Sequence, residues 1–175
     1  MQNCLGIYIE NNLIKYAKVS KDRDTFKVDA FGIRFFDNLN EAIKKIVEET
    51  YSFTTPISIN LANEQYLYYD IFALLSKNDI QKTVETEFET FCDENKYNQK
   101  AFETRYALVS NVQNKERIKA IQVIVNKIEL NKQKQYLEKH NLSGILPIGT
   151  AIASITRFEK KENVLIVNME EIKKK

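Results

Sequence analysis

The sequence predicts an α/β fold in which a strand-rich α/β domain is interrupted by a small α/β insert. Three observations predict it. Near the N-terminus apolar and polar residues alternate with a period of two, the mark of half-buried strands. The alternation gives way to stretches with apolar residues at helical spacing, each preceded by Asn or Ser with an acidic residue three positions on. From Gln65 the character changes, and a second strand–helix series begins that is richer in aromatic residues.

The first series opens with the apolar run Cys4 to Ile9. Glu10-Asn11-Asn12 reads as a turn, because Asn tolerates left-handed backbone and bonds to its own backbone. Leu13 to Val19 is the second strand, and Ser20 to Asp24 a polar turn. Phe26, Val28 and Ala30 alternate with Lys27 and Asp29 in a third strand that runs to about Phe36. Asn38 and Glu41 then form a capping-box pattern. Leu39, Ala42, Ile43, Ile46 and Val47 share one helix face, while Lys44, Lys45, Glu48 and Glu49 face water. The helix ends near Tyr51, before Pro56, and Ile57, Ile59 and Leu61 alternate as a strand.

The second series has the order strand, helix, strand, strand, helix, strand. Gln65 to Leu75 is its first strand. Ser76, with Asp79 in the capping-box position, opens a helix striped by Ile80, Val84, Phe88 and Phe91. Asp93 to Lys100 reads as loop. Phe102 to Leu108 and Lys119 to Val125 alternate as a hairpin around a polar turn at 111–116. Asn126, with Glu129, caps another helix, and a strand follows to about Leu146. A helix starts at Pro147, and Val164 to Val167 is a last buried strand. The expected division is a discontinuous domain of residues 1–62 and 147–175 around an insert of residues 63–146. A buried strand so near the chain end usually leads into structure that covers it. The sequence therefore reads as a piece of a longer protein or as one that ends early.

Composition narrows the function. The 175 residues are 43% hydrophobic and 29% charged, with a formal net charge of +2, as in ordinary globular chains. Lys and Arg are interspersed with Asp and Glu, which leaves no steering field for nucleic acid. The run Lys173 to Lys175 reads as a solvated tail. Cys4 and Cys92 lie in apolar patterns without metal-ligand spacing, as expected of free buried thiols in a reducing compartment. No apolar stretch is long enough to span a membrane, and the N-terminus lacks the form of a signal peptide. The expected location is the cytosol.

Catalytic patterns are missing from the sequence. It carries no Walker, GxSxG, HExxH or dinucleotide motif. His140, near a helix C-terminus, reads as a cation at the negative end of the helix rather than a base. Glu85, Glu87 and Glu89 are spaced by two within one helix, share no face, and read as its solvated side. No catalytic residue and no metal ligand is expected. The aromatic cluster Tyr66, Tyr68, Tyr69 and Phe72 stands out. On a strand Tyr66 and Tyr68 point one way and Tyr69 the other. Core packing is the ordinary reading, and a groove wall that binds a partner peptide is the functional one.

Two segments resemble the FtsA and PilM branch of actin-like ATPases. LGIYIENNLIKYAKV is similar to that family's first phosphate loop, and GILPIGTAIASI followed by ENVLIVN to the helix leading into its second phosphate strand. The strand–helix–strand–strand–helix–strand insert is similar to the subdomain these proteins carry in place of actin's own. The resemblance covers nearly the whole chain and stops where the family's second half would begin. It implies an actin-like (ribonuclease H-like) half-fold.

The departures from the family fall on the nucleotide site. Tyr8 stands where the resemblance implies the Asp that organises magnesium, and Glu10 where it implies a phosphate-approach Gly. Asn168 and Glu170 stand in place of the second Asp and Gly. Asn11, Asn12 and Lys15, the last matching the family lysine, remain as candidates of a degenerate nucleotide site. For Lys15 a solvated strand lysine is the ordinary alternative. No cofactor is expected, and ATP only if a missing second half completes the site.

What the resemblance implies is a non-catalytic scaffold of type IV pilus assembly. It would bind the cytosolic N-terminal segment of a PilN-like inner-membrane protein in a cleft beside the insert. The membrane would be reached only through that partner, and self-association is left open. The alternatives are a fragment of an FtsA-like, nucleotide-binding cell-division ATPase and the cytosolic domain of a type II secretion platform protein.

Overall fold

The structure, a computed structural model, describes residues 2–23, 25–110 and 116–155. Val164 to Val167, expected as a last strand, lies outside them. Three strands open the chain: β1 (Gln2–Glu10), β2 (Leu13–Asp22) and β3 (Thr25–Phe35). The β1–β2 turn is as short as expected, with Asn11 at φ 52°, a left-handed conformation that Asn adopts more readily than most residues. β2 and β3 run further than the polar residues 20–24 suggested, and only Arg23 and Asp24 separate them.

Helix α1 (Leu39–Glu49) begins where the cap pattern placed it, with the Asn38 side chain accepting from the Glu41 amide. Its buried residues are Ala42, Ile43, Ile46 and Val47. They pack on Leu5, Ile7 and Ile14 and on Ile57 and Ile59 of β4 (Ile57–Asn60) to form the main core. This helix and sheet each bury one apolar face against the other, as a two-layer α/β domain requires.

The chain then enters a second sheet. β5 (Gln65–Phe72) stops three residues short of the expected Leu75, because the backbone turns at Ala73–Leu75 to present Ser76 as the cap of α2 (Lys77–Glu94). A 3₁₀ turn (Gln99–Ala101) interrupts the expected loop before β6 (Phe102–Ser110) and β7 (Arg117–Asn126). These strands pair in the order β5-β7-β6, antiparallel throughout. A smaller core of Ile71, Ile80, Val84 and Ala120 lies between α2 and this sheet, flanked by Tyr69 and Ile118. Cys92 is buried, and desolvation pushes its thiol up; Cys4 is half-buried.

The end of the insert differs from expectation. α3 (Lys127–Tyr136) is capped by Asn126, whose side chain accepts from the Ile128 amide. Glu129 does not reach back to the cap but pairs with Lys132 at 3.2 Å. Tyr136 and Leu137 at the end of α3 pack on the main core. β8 (Leu142–Leu146), which the pattern assigned to the insert, pairs parallel with β4 in the first sheet. The physical reason is that adjacent parallel strands need a crossover, usually helical, and α3 supplies it between β4 and β8. The five-stranded sheet thus has the order β3-β2-β1-β4-β8, and β5, α2, β6 and β7 are spliced into its last crossover. α4 (Ile148–Ile155) follows directly after Pro147.

Candidate functional site

At the β1–β2 turn, Lys15 is engaged by the residues that depart from the family pattern, Tyr8 and Glu10. Lys15 lies opposite Tyr8 in the register. Its Nζ is 5.3 Å from the centre of the Tyr8 ring and 3.9 Å from Glu10 Oε2. The lysine therefore faces the two residues that stand in for the expected Asp and Gly. Asn11 and Asn12 are exposed at the turn. Asn168 and Glu170 lie outside the described residues. No group of three or more His, Cys, Asp or Glu residues that could hold a metal occurs among the described residues.

The junction between the two sheets is strapped by side-chain hydrogen bonds. Asn60, at the end of β4, accepts from the Ile9 amide at 2.7 Å and donates to the Ile9 carbonyl at 3.0 Å, extending the β1–β4 ladder by one side chain. Gln133 of α3 is buried; it accepts from the Ala62 amide at 3.1 Å and donates to the Asn60 carbonyl at 3.0 Å. Glu64 Oε1 accepts from the Ile148 amide at 2.9 Å and from the Tyr66 hydroxyl at 2.5 Å. The Tyr66 hydroxyl oxygen in turn accepts from the Gly149 amide at 3.1 Å. The first amides of α4, which helix geometry leaves without internal partners, are thus satisfied by the first residues of the insert.

Tyr66 is therefore fixed in place. Desolvation and the Glu64 carboxylate push its hydroxyl pKa well above the ordinary tyrosine range. Tyr68 stacks on it with ring centres 6.3 Å apart and planes 18° from parallel, yet remains 67% exposed. Phe72, two pleats on, is also exposed, with the Arg117 guanidinium 4.9 Å from its ring centre. Tyr69 does not join them. It lies on the opposite face against the smaller core, and its hydroxyl donates to Gln122 Oε1 at 2.7 Å.

The register assembles the rest of this face. Tyr66 lies opposite Val123, which lies opposite Arg105; Tyr68 opposite Ile121 and then Ala107; Asp70 opposite Lys119 and then Val109; Phe72 opposite Arg117. The smaller core fills the other face. The outer face is therefore an aromatic and aliphatic surface edged by Arg105, Arg117 and Lys119 and by the carboxylates of Asp70 and Glu103, the latter paired with Arg105 at 3.2 Å. The sequence exposed Tyr66, Tyr68 and Phe72 as candidates. It gave no signal for Glu64, Gln133 or the β6 and β7 residues, whose roles come from pairing across the fold.

Burial pushes the Tyr69 pKa up from 10.0 to about 12, with Glu87 adding to the shift. Its neutral form is favoured in the folded state, so its contribution is complete below the unfolded pKa near 10 and is lost as pH rises through about 12. A urea series from pH 9 upward is expected to show falling stability over that window, with a shallower fall in Tyr69→Phe.

The five-stranded order with α1 and α3 on one face, and an insert in the last crossover, defines an actin-like α/β half-fold. Among solved structures the chain is similar to the PilM-PilN type IV pilus biogenesis complex, with a TM-score of 0.69 and 14% identity over 89% of this chain and 50% of that one. It is also similar to the cytoplasmic domain of EpsL, an inner membrane component of the Vibrio cholerae type II secretion system. That likeness has a TM-score of 0.58 and 14% identity over 83% of this chain and 57% of that one. A Bacteroides thetaiotaomicron protein with an actin-like ATPase fold and unknown function, at a TM-score of 0.45 and 12% identity over 91% of this chain and 57% of that one, is too loose a match to add weight. The likeness shows that the chain shares its fold with part of the PilM-PilN structure. The chain spans about half the length of the solved structures it matches. No protein-family model and no curated protein matches the sequence. Among the described residues no helix is long and apolar enough to cross a membrane.

Proposed function

We propose that this chain is a non-catalytic binding module of a type IV pilus assembly platform, and that it takes an extended segment of a PilN-type inner-membrane protein on the outer face of β5, β7 and β6. It would work in the cytoplasm, held at the inner membrane through that partner. The observation that carries the reading is the Tyr66–Tyr68 stack. Tyr68 is largely exposed while the ring beneath it is anchored by Glu64 and Gly149. A fixed aromatic platform loses little conformational entropy on binding, and tyrosines of this kind dominate binding energy at interfaces. β5 pairs only with β7 among the described residues, so its free edge adds backbone donors and acceptors for strand addition. Arg117 and Lys119 suit acidic groups on the segment, while Arg105 is paired with Glu103.

The same reading makes the β1–β2 turn a vestige. Glu10 brings a carboxylate beside Lys15, where a phosphate would have to compete with it, and no cofactor is required. The fold likeness to the EpsL domain supports a second placement of the same surface, in a type II secretion platform. On this reading the Glu10 carboxylate beside Lys15 disfavours an FtsA-like nucleotide function.

Calorimetric titration with the cytosolic N-terminal peptide of the PilN-type protein tests the proposal. Binding to the wild type is expected, with Tyr68→Ala weakening it by a factor of about 10 or more, the usual loss for an interface hot spot. Wild-type affinity in Tyr68→Ala sinks the assignment to this face. Lys15→Ala is expected to leave peptide binding unchanged. Turnover of ATP with magnesium would refute the non-catalytic reading.

A further inference from the structure

The free edge of β3 forms a second surface, independent of the one proposed above. Among the described residues β3 pairs only with β2, and it is the outermost strand of its sheet. The Phe36 amide donates to the Asn12 carbonyl at 2.9 Å. Antiparallel pairs alternate between those that exchange hydrogen bonds and those that do not. In this register Arg34–Ile14 and Gly32–Tyr16 are the bonded pairs. The N–H and C=O groups of Phe31, Ile33 and Phe35 therefore point away from β2, along the free edge. Their side chains lie on the sheet face away from α1 and are 80%, 66% and 74% exposed.

The two halves of this edge differ. Its N-terminal half is blunted by a register shift opposite Lys18 and Val19 and by the Lys27–Asp29 ion pair at 3.4 Å. Bulges and charges of this kind discourage pairing. The half from Phe31 to Phe35 carries neither. Its one charge, Arg34, points to the α1 side and is bound by both oxygens of Glu49 at 2.6 and 2.7 Å.

We infer that β3 pairs antiparallel with β3 of a second copy of this chain, about a two-fold axis at Ile33. The sequence favours a second copy because the edge is complementary to itself in one register. With Ile33 opposite its own counterpart, Phe31 lies opposite the partner's Phe35 and the partner's Phe31 opposite Phe35. Every outward N–H and C=O of the three residues then meets a partner. The apolar side chains form one row across the junction as cross-strand pairs. Arg34 falls opposite Gly32, so no like charges meet. A five-residue edge buries well below the ~1,600 Å² of a standard stable interface, so the dimer is weak and concentration-dependent, and it joins two five-stranded sheets into one.

The test is sedimentation over a concentration series, with circular dichroism confirming the fold of each variant. The wild type is expected to show reversible dimers. Ile33→Lys and Ile33→Glu, which place like charges on the axis, are each expected to be monomeric, and an equimolar mixture of the two is expected to dimerise. Ile33→Cys is expected to form a disulfide-linked dimer under mild oxidation, and Thr25→Cys is not. A wild type that stays monomeric at its highest soluble concentration overturns the inference. So does an Ile33→Lys variant that still dimerises, or equal cross-linking at positions 33 and 25. Peptide binding by Ile33→Lys is expected to be unchanged, which separates this surface from that of Tyr68.

Discussion

Ile43→Ala is expected to destabilise the protein by about 2–5 kcal/mol, the range for removing a large aliphatic side chain from a packed core. Ile43 is fully buried where α1 meets the five-stranded sheet, packed among Leu5, Ile7, Ile14, Ile57 and Ile59. Every strand that holds β1 in place contributes to that cluster or pairs with one that does. The cavity left by an alanine would lie between two rigid layers with little room to collapse. Urea denaturation should show a lower midpoint with an unchanged slope. An exposed control on the same helix, Lys45→Ala, should stay near wild type, since surface changes away from special contacts cost little.

Gln133→Leu is the second large effect. The substitution nearly conserves volume but removes both hydrogen bonds, leaving the Ala62 amide and the Asn60 carbonyl without their side-chain partner. Each buried group left unsatisfied costs about 1–3 kcal/mol. The loss falls on the link between β4 and β5, so its effect is positional as well as energetic. Hydrogen exchange should show the Ala62 amide losing protection, and peptide affinity should fall with it, because β5 and its Tyr66–Tyr68 stack take their placement from this link. Gln133→Glu keeps one acceptor and should retain more protection at Ala62 than the leucine variant. Full protection in Gln133→Leu would show that the strap does not hold the junction.

These two cases mark what could be read from the sequence. The α1 core was legible because helical periodicity and the Asn38 cap are local, and both depend on residues within a turn or two. The caps at Ser76 and Asn126 were legible for the same reason. β8 was not. The sequence placed a strand ending near Leu146, but its choice of partner is set by a crossover that the insert separates in sequence from β4. Gln133 reads as one more polar residue on a polar helix, and its role appears only because it meets residues 71 and 73 positions away. Glu64 likewise meets Ile148 across 84 positions.

The candidate sites divide in the same way. The departures Tyr8 and Glu10 were visible as residue types at fixed offsets from the first strand, and the structure places both beside Lys15. Tyr66, Tyr68 and Phe72 share a face by the period of two that the sequence displays. The same period sets Tyr69 apart from them, against the smaller core. The β7 and β6 residues that complete the surface needed the pairing register, which no single strand contains.

The most direct test of the account is an amide NMR titration of the protein with the cytosolic N-terminal segment of the PilN-type protein. The account predicts that the shifts concentrate at Tyr66, Tyr68, Phe72, Arg117, Ile121 and Val123 and leave Asn11, Asn12 and Lys15 unmoved. Shifts centred on the β1–β2 turn, or none on β5 and β7 at saturation, would contradict it.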